Sequence, residues 1–204
     1  MTLDKLPINA FDVIVLIVLI TGILRGRAHG MSEELIKLLE WLAILFGSAT
    51  CYQWGAQLIG GFTSLLGPLA RYLAAYVGVG LLIGLSFTLV QRGFGGKLTG
   101  SDVFGRTEYY FGMAAGLLRF GCMLLVVLAL LNARAYSPSQ VQALEKYQQE
   151  AYGSDFFPTL YSVQQTVFVK SVTGSWVRQY LGWLLIKPTA MEDTGFQQKE
   201  FSVP

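Results

Sequence analysis

Residues 109–131 read YYFGMAAGLLRFGCMLLVVLALL, an apolar run that a single charged residue, Arg119, interrupts. A helix needs about 20 mostly apolar residues to cross the hydrocarbon core of a bilayer. Inside that core each backbone N–H and C=O group has to find its partner within the segment, which makes a helix the expected structure. The run therefore predicts a membrane-spanning helix.

Three more apolar stretches precede this one. Together the four predict helices over about residues 8–24, 35–59, 73–90 and 109–131. Of the 204 residues, 53% are hydrophobic and 14% are charged, whereas a soluble domain carries about 25% charged residues. The sequence predicts an all-α protein in which residues 1–136 form an integral membrane four-helix bundle, with the lipid bilayer as its main partner.

The last third of the chain is more polar. Ser137 followed by Pro138 is typical of a helix start. Further on, Trp176, Tyr180 and Trp183 favour an amphipathic helix at a membrane interface. We predict an amphipathic helical tail over residues 137–188, outside the cytoplasm, and disorder over residues 189–204. The alternative for residues 175–186 is packing on the bundle.

Positive charges near the helix ends predict the orientation. The side of the membrane with the loops after the first and third helices holds six Lys or Arg residues, and the other side holds two, Lys5 and Arg71. An excess of Lys and Arg marks cytoplasmic loops. We therefore expect a multi-pass protein with both termini outside the cytoplasm.

Small residues recur at every fourth position in each predicted helix. In lipid, this spacing allows helix backbones to approach closely. Packing within the bundle is the expected role, and contacts in an oligomer or a conduction path are the alternatives. The glycines concerned are Gly22, Gly26, Gly30, Gly47, Gly80, Gly84, Gly112 and Gly116.

Four ionisable residues in or beside the apolar segments are candidates for a structural or functional role. They are Asp12, Arg25, Glu34 and Arg119. A charge at the centre of a membrane helix costs about 2.5–3.5 kcal/mol on insertion scales, so such residues usually have partners. The favoured interpretation is a structural ion pair between Arg119 and a carboxylate of a neighbouring helix. The alternative is an ion or proton path.

Groups that could carry catalysis are scarce. The chain has one histidine, His29, and its two cysteines lie in apolar runs. It lacks the glycine-rich P-loop motif that binds nucleotide phosphates. The net charge of +2 is too small to indicate a nucleic-acid partner. We expect no enzyme activity and no catalytic, cofactor-binding or metal-binding residues.

Three motifs follow one another in the chain. The first is Asp12, Arg25-Gly26, Gly30 and Glu34-Leu35, and the second is Glu108-x-x-x-Gly112-x-x-x-Gly116-x-x-Arg119. A third runs from Ser154 to Pro158 and Leu160. In their order and spacing, these motifs resemble the colicin V production protein (CvpA) family over about residues 8–165. In one departure, Arg119 is followed by Phe120, where the family often has glycine.

This resemblance implies a bacterial inner-membrane protein linked to colicin V production, that is toxin biosynthesis, and to envelope homeostasis. We expect an accessory or scaffold protein that has a membrane-protein partner or forms a homo-oligomer. The alternative is a small channel or transporter subunit that uses Asp12, Glu34 and Arg119.

Overall fold

The structure is a computed structural model that describes residues 9–63, 65–93, 107–152 and 158–190. In these ranges the chain forms six α-helices: α1 (Ala10–Phe62), α2 (Pro68–Gly93), α3 (Glu108–Asn132), α4 (Pro138–Tyr152), α5 (Leu160–Phe168) and α6 (Val172–Tyr180). A short 3-10 turn (Gly182–Leu184) follows. Two-residue strands, β1 (Arg134–Ala135) and β2 (Thr189–Ala190), pair in parallel. The predicted all-helical class is confirmed.

Helix α1 consists of two helices joined at Gly30, whose φ of 76° and ψ of 172° are not helical. We call residues 10–29 the N-terminal limb and residues 31–62 the C-terminal limb. The predicted helices over 8–24 and 35–59 ended too early and began too late around a predicted loop. Residues 25–29 and 31–34 are helical, and Gly30 alone interrupts the helix. A residue without Cβ can turn the chain at one position, since this backbone region is open to glycine almost alone.

Contacts show that the chain reverses its direction at Gly30. Along the N-terminal limb, Gly22 lies against Gly116 and Gly26 lies against Gly112, so this limb runs antiparallel to α3. The C-terminal limb runs parallel to α3, since its early residue Glu34 meets Arg119 and its later residues share a core with the end of α3.

Helix α2 packs antiparallel to the C-terminal limb. Gly47 lies against Ile83, and Gly55, two turns later, lies against Ala75 of the preceding part of α2. Helix α2 extends beyond its predicted bounds of 73–90, whereas α3 agrees with the predicted 109–131 to within one residue at each end.

The tail docks on the end of the helices where α3 finishes. Val177, Leu185 and Ile186 are buried in one core with Leu128 and Ala129 of α3. The opposite face of the same segment is open, and its exposed aromatic residues are Trp176, Tyr180 and Trp183. Residues 175–186 thus pack on the helices, which was the alternative interpretation. Trp176 and Tyr180 stay exposed, whereas the ring of Trp183 also contacts Phe46 of α1.

Helix α4 begins at Pro138, and Ser137 caps it by accepting a hydrogen bond from the Gln140 N–H at 3.3 Å.

The C-terminal segment with predicted disorder begins at residue 189. Its first two residues form β2 instead, because the backbone N–H of Thr189 reaches the carbonyl of Ala133. Residues 191–204 lie outside the described residues.

Two helices, α2 and α3, are long and apolar enough to cross a membrane. Large apolar side chains cover the surface of α2, and Leu81, Leu82 and Leu89 are each more than 60% exposed. Water disfavours a surface of this kind, whereas a bilayer accepts it. The four-helix bundle stays a prediction, since α2 packs mainly on the C-terminal limb in the described ranges.

Candidate functional site: a buried ion pair beside a glycine contact

Four glycines form the contact between the N-terminal limb and α3. A Cβ placed on Gly22 would lie 2.8 Å from the carbonyl oxygen of Gly116, and one on Gly26 would meet the carbonyl of Gly112 at a shorter distance. The reverse holds as well, since a Cβ on Gly112 would meet the carbonyl oxygen of Gly26. Only glycine permits these two backbones to touch along two helical turns.

Glu108 stands at the next position of the same four-residue spacing on α3. Its side chain lies against Gly30, and its Oε1 accepts a hydrogen bond of 3.4 Å from the backbone N–H of Ser32. Ser32 is in the first turn of the C-terminal limb, where N–H groups have no partner within the helix. Glu108 therefore holds the start of that limb against the start of α3.

The ion pair lies on the C-terminal limb about one turn past Gly30. Nη1 of Arg119 donates to both carboxylate oxygens of Glu34, at 2.8 Å to Oε2 and 3.1 Å to Oε1. Glu34 is 1% exposed, and the side chain of Arg119 is 12% exposed. In such a place each charge depends on the other, because removal of one leaves a buried ion without compensation.

Sequence position explains why these two residues meet. Glu34 follows the turn at Gly30 by four residues, so its position near the N-terminus of the limb also suits a negative charge. Arg119 follows Gly116 by three residues and thus lies beside the glycine contact on α3. The reversal at Gly30 returns the chain along α3 and brings the carboxylate to the guanidinium.

Asp12 lies at the opposite end of the N-terminal limb. Its Oδ2 accepts from the backbone N–H of Asn9 at 3.0 Å and completes a capping box at the start of α1. Its Oδ1 accepts from the backbone N–H of Thr173 at 2.9 Å, and Oδ2 also accepts from Val172 at 3.3 Å. Asp12 thus caps two helices, α1 and α6, and has no part in the ion pair.

Arg25 is exposed near the turn at Gly30, at the end of the N-terminal limb. The structure therefore does not gather the four ionisable candidates into one site: it joins Glu34 and Arg119, and it places Asp12 and Arg25 at opposite ends of the same limb.

The remaining predicted glycines lie between the C-terminal limb and α2. A Cβ on Gly47 would meet Ile83, and one on Gly80 would lie 3.3 Å from Oγ of Ser48. At Gly84 the nearest atom, Oε1 of Glu40, would be at an ordinary 3.7 Å. This contact is looser than the one between the N-terminal limb and α3, because side chains rather than backbone atoms limit it.

Two residues of this region were not among the predicted site residues. Glu108 is part of the motif that carries the family resemblance and continues the spacing of Gly112 and Gly116, but it was not predicted as a site residue. Ser48 is fully buried, and its hydroxyl has no hydrogen-bond partner in the described part of the chain. No signal in the sequence distinguishes it from other serines. Among the described residues, no three His, Cys, Asp or Glu side chains are grouped as metal ligands would be.

These features define an all-helical protein with two helices able to cross a membrane and an ion pair buried beside a glycine contact. The chain belongs to the Colicin V production protein family, whose model matches residues 11–165. The match confirms the resemblance and supports a role in colicin V production. Searches of curated proteins and of solved structures found no significant match. Family and helices together indicate a membrane protein.

Proposed function

We propose that this chain is an accessory or scaffold protein of the bacterial inner membrane that supports colicin V production or export, or envelope homeostasis, without a catalytic step. In this proposal both limbs of α1 cross the membrane together with α2 and α3. The N-terminal limb and the C-terminal limb are each long enough for this at a rise of 1.5 Å per residue. Its partner is another membrane protein or a second copy of the chain.

The ion pair between Glu34 and Arg119 carries the proposal. A relay for protons or ions needs a series of polar groups that reach both faces of the membrane. Glu34 and Arg119 instead bind each other, and Asp12 is engaged with backbone N–H groups at the far end of its limb. This arrangement supports a role in holding helices together and gives less support to the channel or transporter alternative.

The same geometry supports the proposed orientation. The turn at Gly30 and the start of α3 share one end of the molecule, where Arg25 and Arg27 are exposed. The other end holds the start of α1 and the docked tail. With the basic end in the cytoplasm, both termini lie outside it.

The decisive test replaces the ion pair by uncharged side chains of similar length. Arg119→Met alone should lower the free energy of unfolding by about 3–5 kcal/mol, because it leaves Glu34 buried without a counter-charge. Glu34→Met combined with Arg119→Met should recover most of that loss, since well-packed apolar pairs often replace buried ion pairs without cost. Denaturant titration in detergent micelles measures both values.

The double variant then separates the two functions. A scaffold keeps its activity without the charges, so release of colicin V by producing cells should match the wild-type chain. A relay loses its activity although the protein folds. A folded double variant that fails to support release, or a wild-type chain that conducts ions in proteoliposomes, would contradict the scaffold proposal.

A further inference from the structure

A second polar feature lies outside the ion pair and the glycine contact. A pocket of about 220 Å³ opens where the end of α3 and strand β1 meet α5 and α6. Four of the side chains that line it carry hydrogen-bond donors of the kind that bind anions: Arg134, Tyr136, Tyr161 and Arg178. This pocket belongs to the junction between the tail and the helices.

Two positive charges face this pocket without a negative one. None of the described residues that line it is acidic. The guanidinium of Arg134 stacks on the ring of Tyr136, with 4.4 Å between Cζ and the ring centroid, and its buried Nε has no hydrogen-bond partner in the described part of the chain. Arg178 is exposed and likewise forms no ion pair with a described residue. Two like charges beside one pocket repel each other, and an anion between them would offset this repulsion.

The two tyrosines add neutral donors. The hydroxyl of Tyr161 accepts a hydrogen bond from Nε2 of Gln165 at 3.2 Å, so its own hydrogen is free to point elsewhere. Burial raises the pKa of the Tyr136 hydroxyl above its ordinary value of 10, although the charge of Arg134 opposes this shift. The Tyr136 hydroxyl therefore keeps its hydrogen at neutral pH and can donate.

The pocket wall is fixed in place before any ligand arrives. Nε2 of Gln164 donates to the carbonyl of Arg134 at 3.0 Å, and Nδ2 of Asn132 donates to the carbonyl of Ile186 at 3.0 Å. Pairing of β1 with β2 holds Arg134 from the other side. Such bonds lower the ordering cost of binding, because the donors already have their positions.

We propose that this pocket binds a phosphate group. Guanidinium forks match phosphate oxygens and form charge-assisted hydrogen bonds with them. A phosphate offers more oxygen acceptors than a carboxylate, which suits a site with two guanidinium groups and two hydroxyls. The group can belong to inorganic phosphate or to the headgroup of an anionic lipid, since the pocket adjoins the end of α3.

The test uses the full chain purified in detergent and titrated calorimetrically with inorganic phosphate. A second arm places the chain in nanodiscs of phosphatidylcholine, alone or mixed with phosphatidylglycerol, and measures retained phosphatidylglycerol by native mass spectrometry. Arg178→Gln removes an exposed side chain and should leave the fold intact. Arg178→Gln should weaken binding about tenfold or more in whichever arm shows binding of the wild-type chain.

Two further variants make the result specific. Arg134→Lys keeps the charge and loses the fork, so it should also weaken binding. Lys170→Gln removes one positive charge from the tail outside this pocket and should have little effect. Saturable binding of phosphate alone assigns a soluble ligand, and retention of phosphatidylglycerol alone assigns a lipid. Absence of binding in both arms, or an equal loss with Lys170→Gln, would overturn the proposal.

Discussion

At the scale of single residues, glycine has opposite effects on stability at two positions of the helices. At Gly26 an added Cβ would meet the backbone of Gly112, which cannot move without separating two helices. At Gly121, in the middle of α3, an added Cβ would have no neighbour within 4 Å. Glycine is therefore required at the first position and is only a cost in helix stability at the second.

Alanine substitutions at these two positions should have effects of opposite sign. Gly26→Ala should destabilise the protein by about 1–3 kcal/mol through overpacking. Gly121→Ala should stabilise it by about 0.5–1 kcal/mol, because alanine restricts the unfolded chain and favours the helix. Denaturant titration in micelles measures both free energies. A loss of stability of equal size at both positions would mean that the contact with Gly112 is not what limits position 26.

The sequence indicated most of the important single residues but did not indicate which residues they contact. Spacing marked Gly22, Gly26, Gly112 and Gly116 as small positions, and the cost of a charge in lipid indicated a carboxylate for Arg119. The identity of that carboxylate depends on the reversal at Gly30, because only a chain that returns along α3 brings Glu34 to it. Hydropathy indicates which residues of a helix lie in the apolar layer. It does not indicate which other helix lies beside them.

At the scale of elements, the turn at Gly30 decides how α1 packs. The sequence predicted a loop over residues 25–34, since this region is polar and contains two arginines, a histidine and two glycines. The structure continues the helix to residue 29, because Gly26 has to be helical to meet Gly112. One glycine then replaces the loop. Polarity predicted that the chain leaves the apolar layer here, but it did not predict how tightly the chain turns.

Gly30→Ala should destabilise the protein by about 1–3 kcal/mol, because a φ of 76° with a ψ of 172° strains any residue that has a Cβ. The added methyl group would also meet the side chain of Glu108, at 3.0 Å. Comparison with Glu108→Ala and the double variant separates the two causes. Backbone strain predicts that Gly30→Ala costs nearly as much without the Glu108 side chain as with it, whereas a purely steric cost would disappear. Thermal unfolding in micelles reports the difference.

At the scale of the whole molecule, the structure has two unlike ends. One end holds the turn at Gly30, with Arg25, Arg27 and His29 exposed. The other end holds the docked tail and the exposed polar helix α4. Residues 94–106, which contain two of the basic residues that predicted the orientation, lie outside the described ranges. Among the described residues, Arg25 and Arg27 of the N-terminal limb still lie at the end opposite the tail.

Accessibility of single cysteines to a membrane-impermeant thiol reagent tests the proposed orientation. In a chain whose Cys51 and Cys122 are replaced by serine and alanine, Glu145→Cys in α4 should react from outside intact cells. His29→Cys should react only after the cells are opened. Both positions are exposed, so the two variants control for each other. The reverse pattern would place the termini in the cytoplasm.

The contact between Asp12 and Thr173 has a consequence for the order of events during synthesis. The two residues are 161 positions apart, and Nδ2 of Asn9 likewise reaches the carbonyl of Thr166. The capping box of the first helix forms locally between Asn9 and Asp12, but the backbone N–H groups at the start of α6 that also bind Asp12 are synthesised about 160 residues later. The first helix therefore has to wait for most of the chain before it reaches its final contacts, and a nascent chain truncated before residue 173 leaves Asp12 without them.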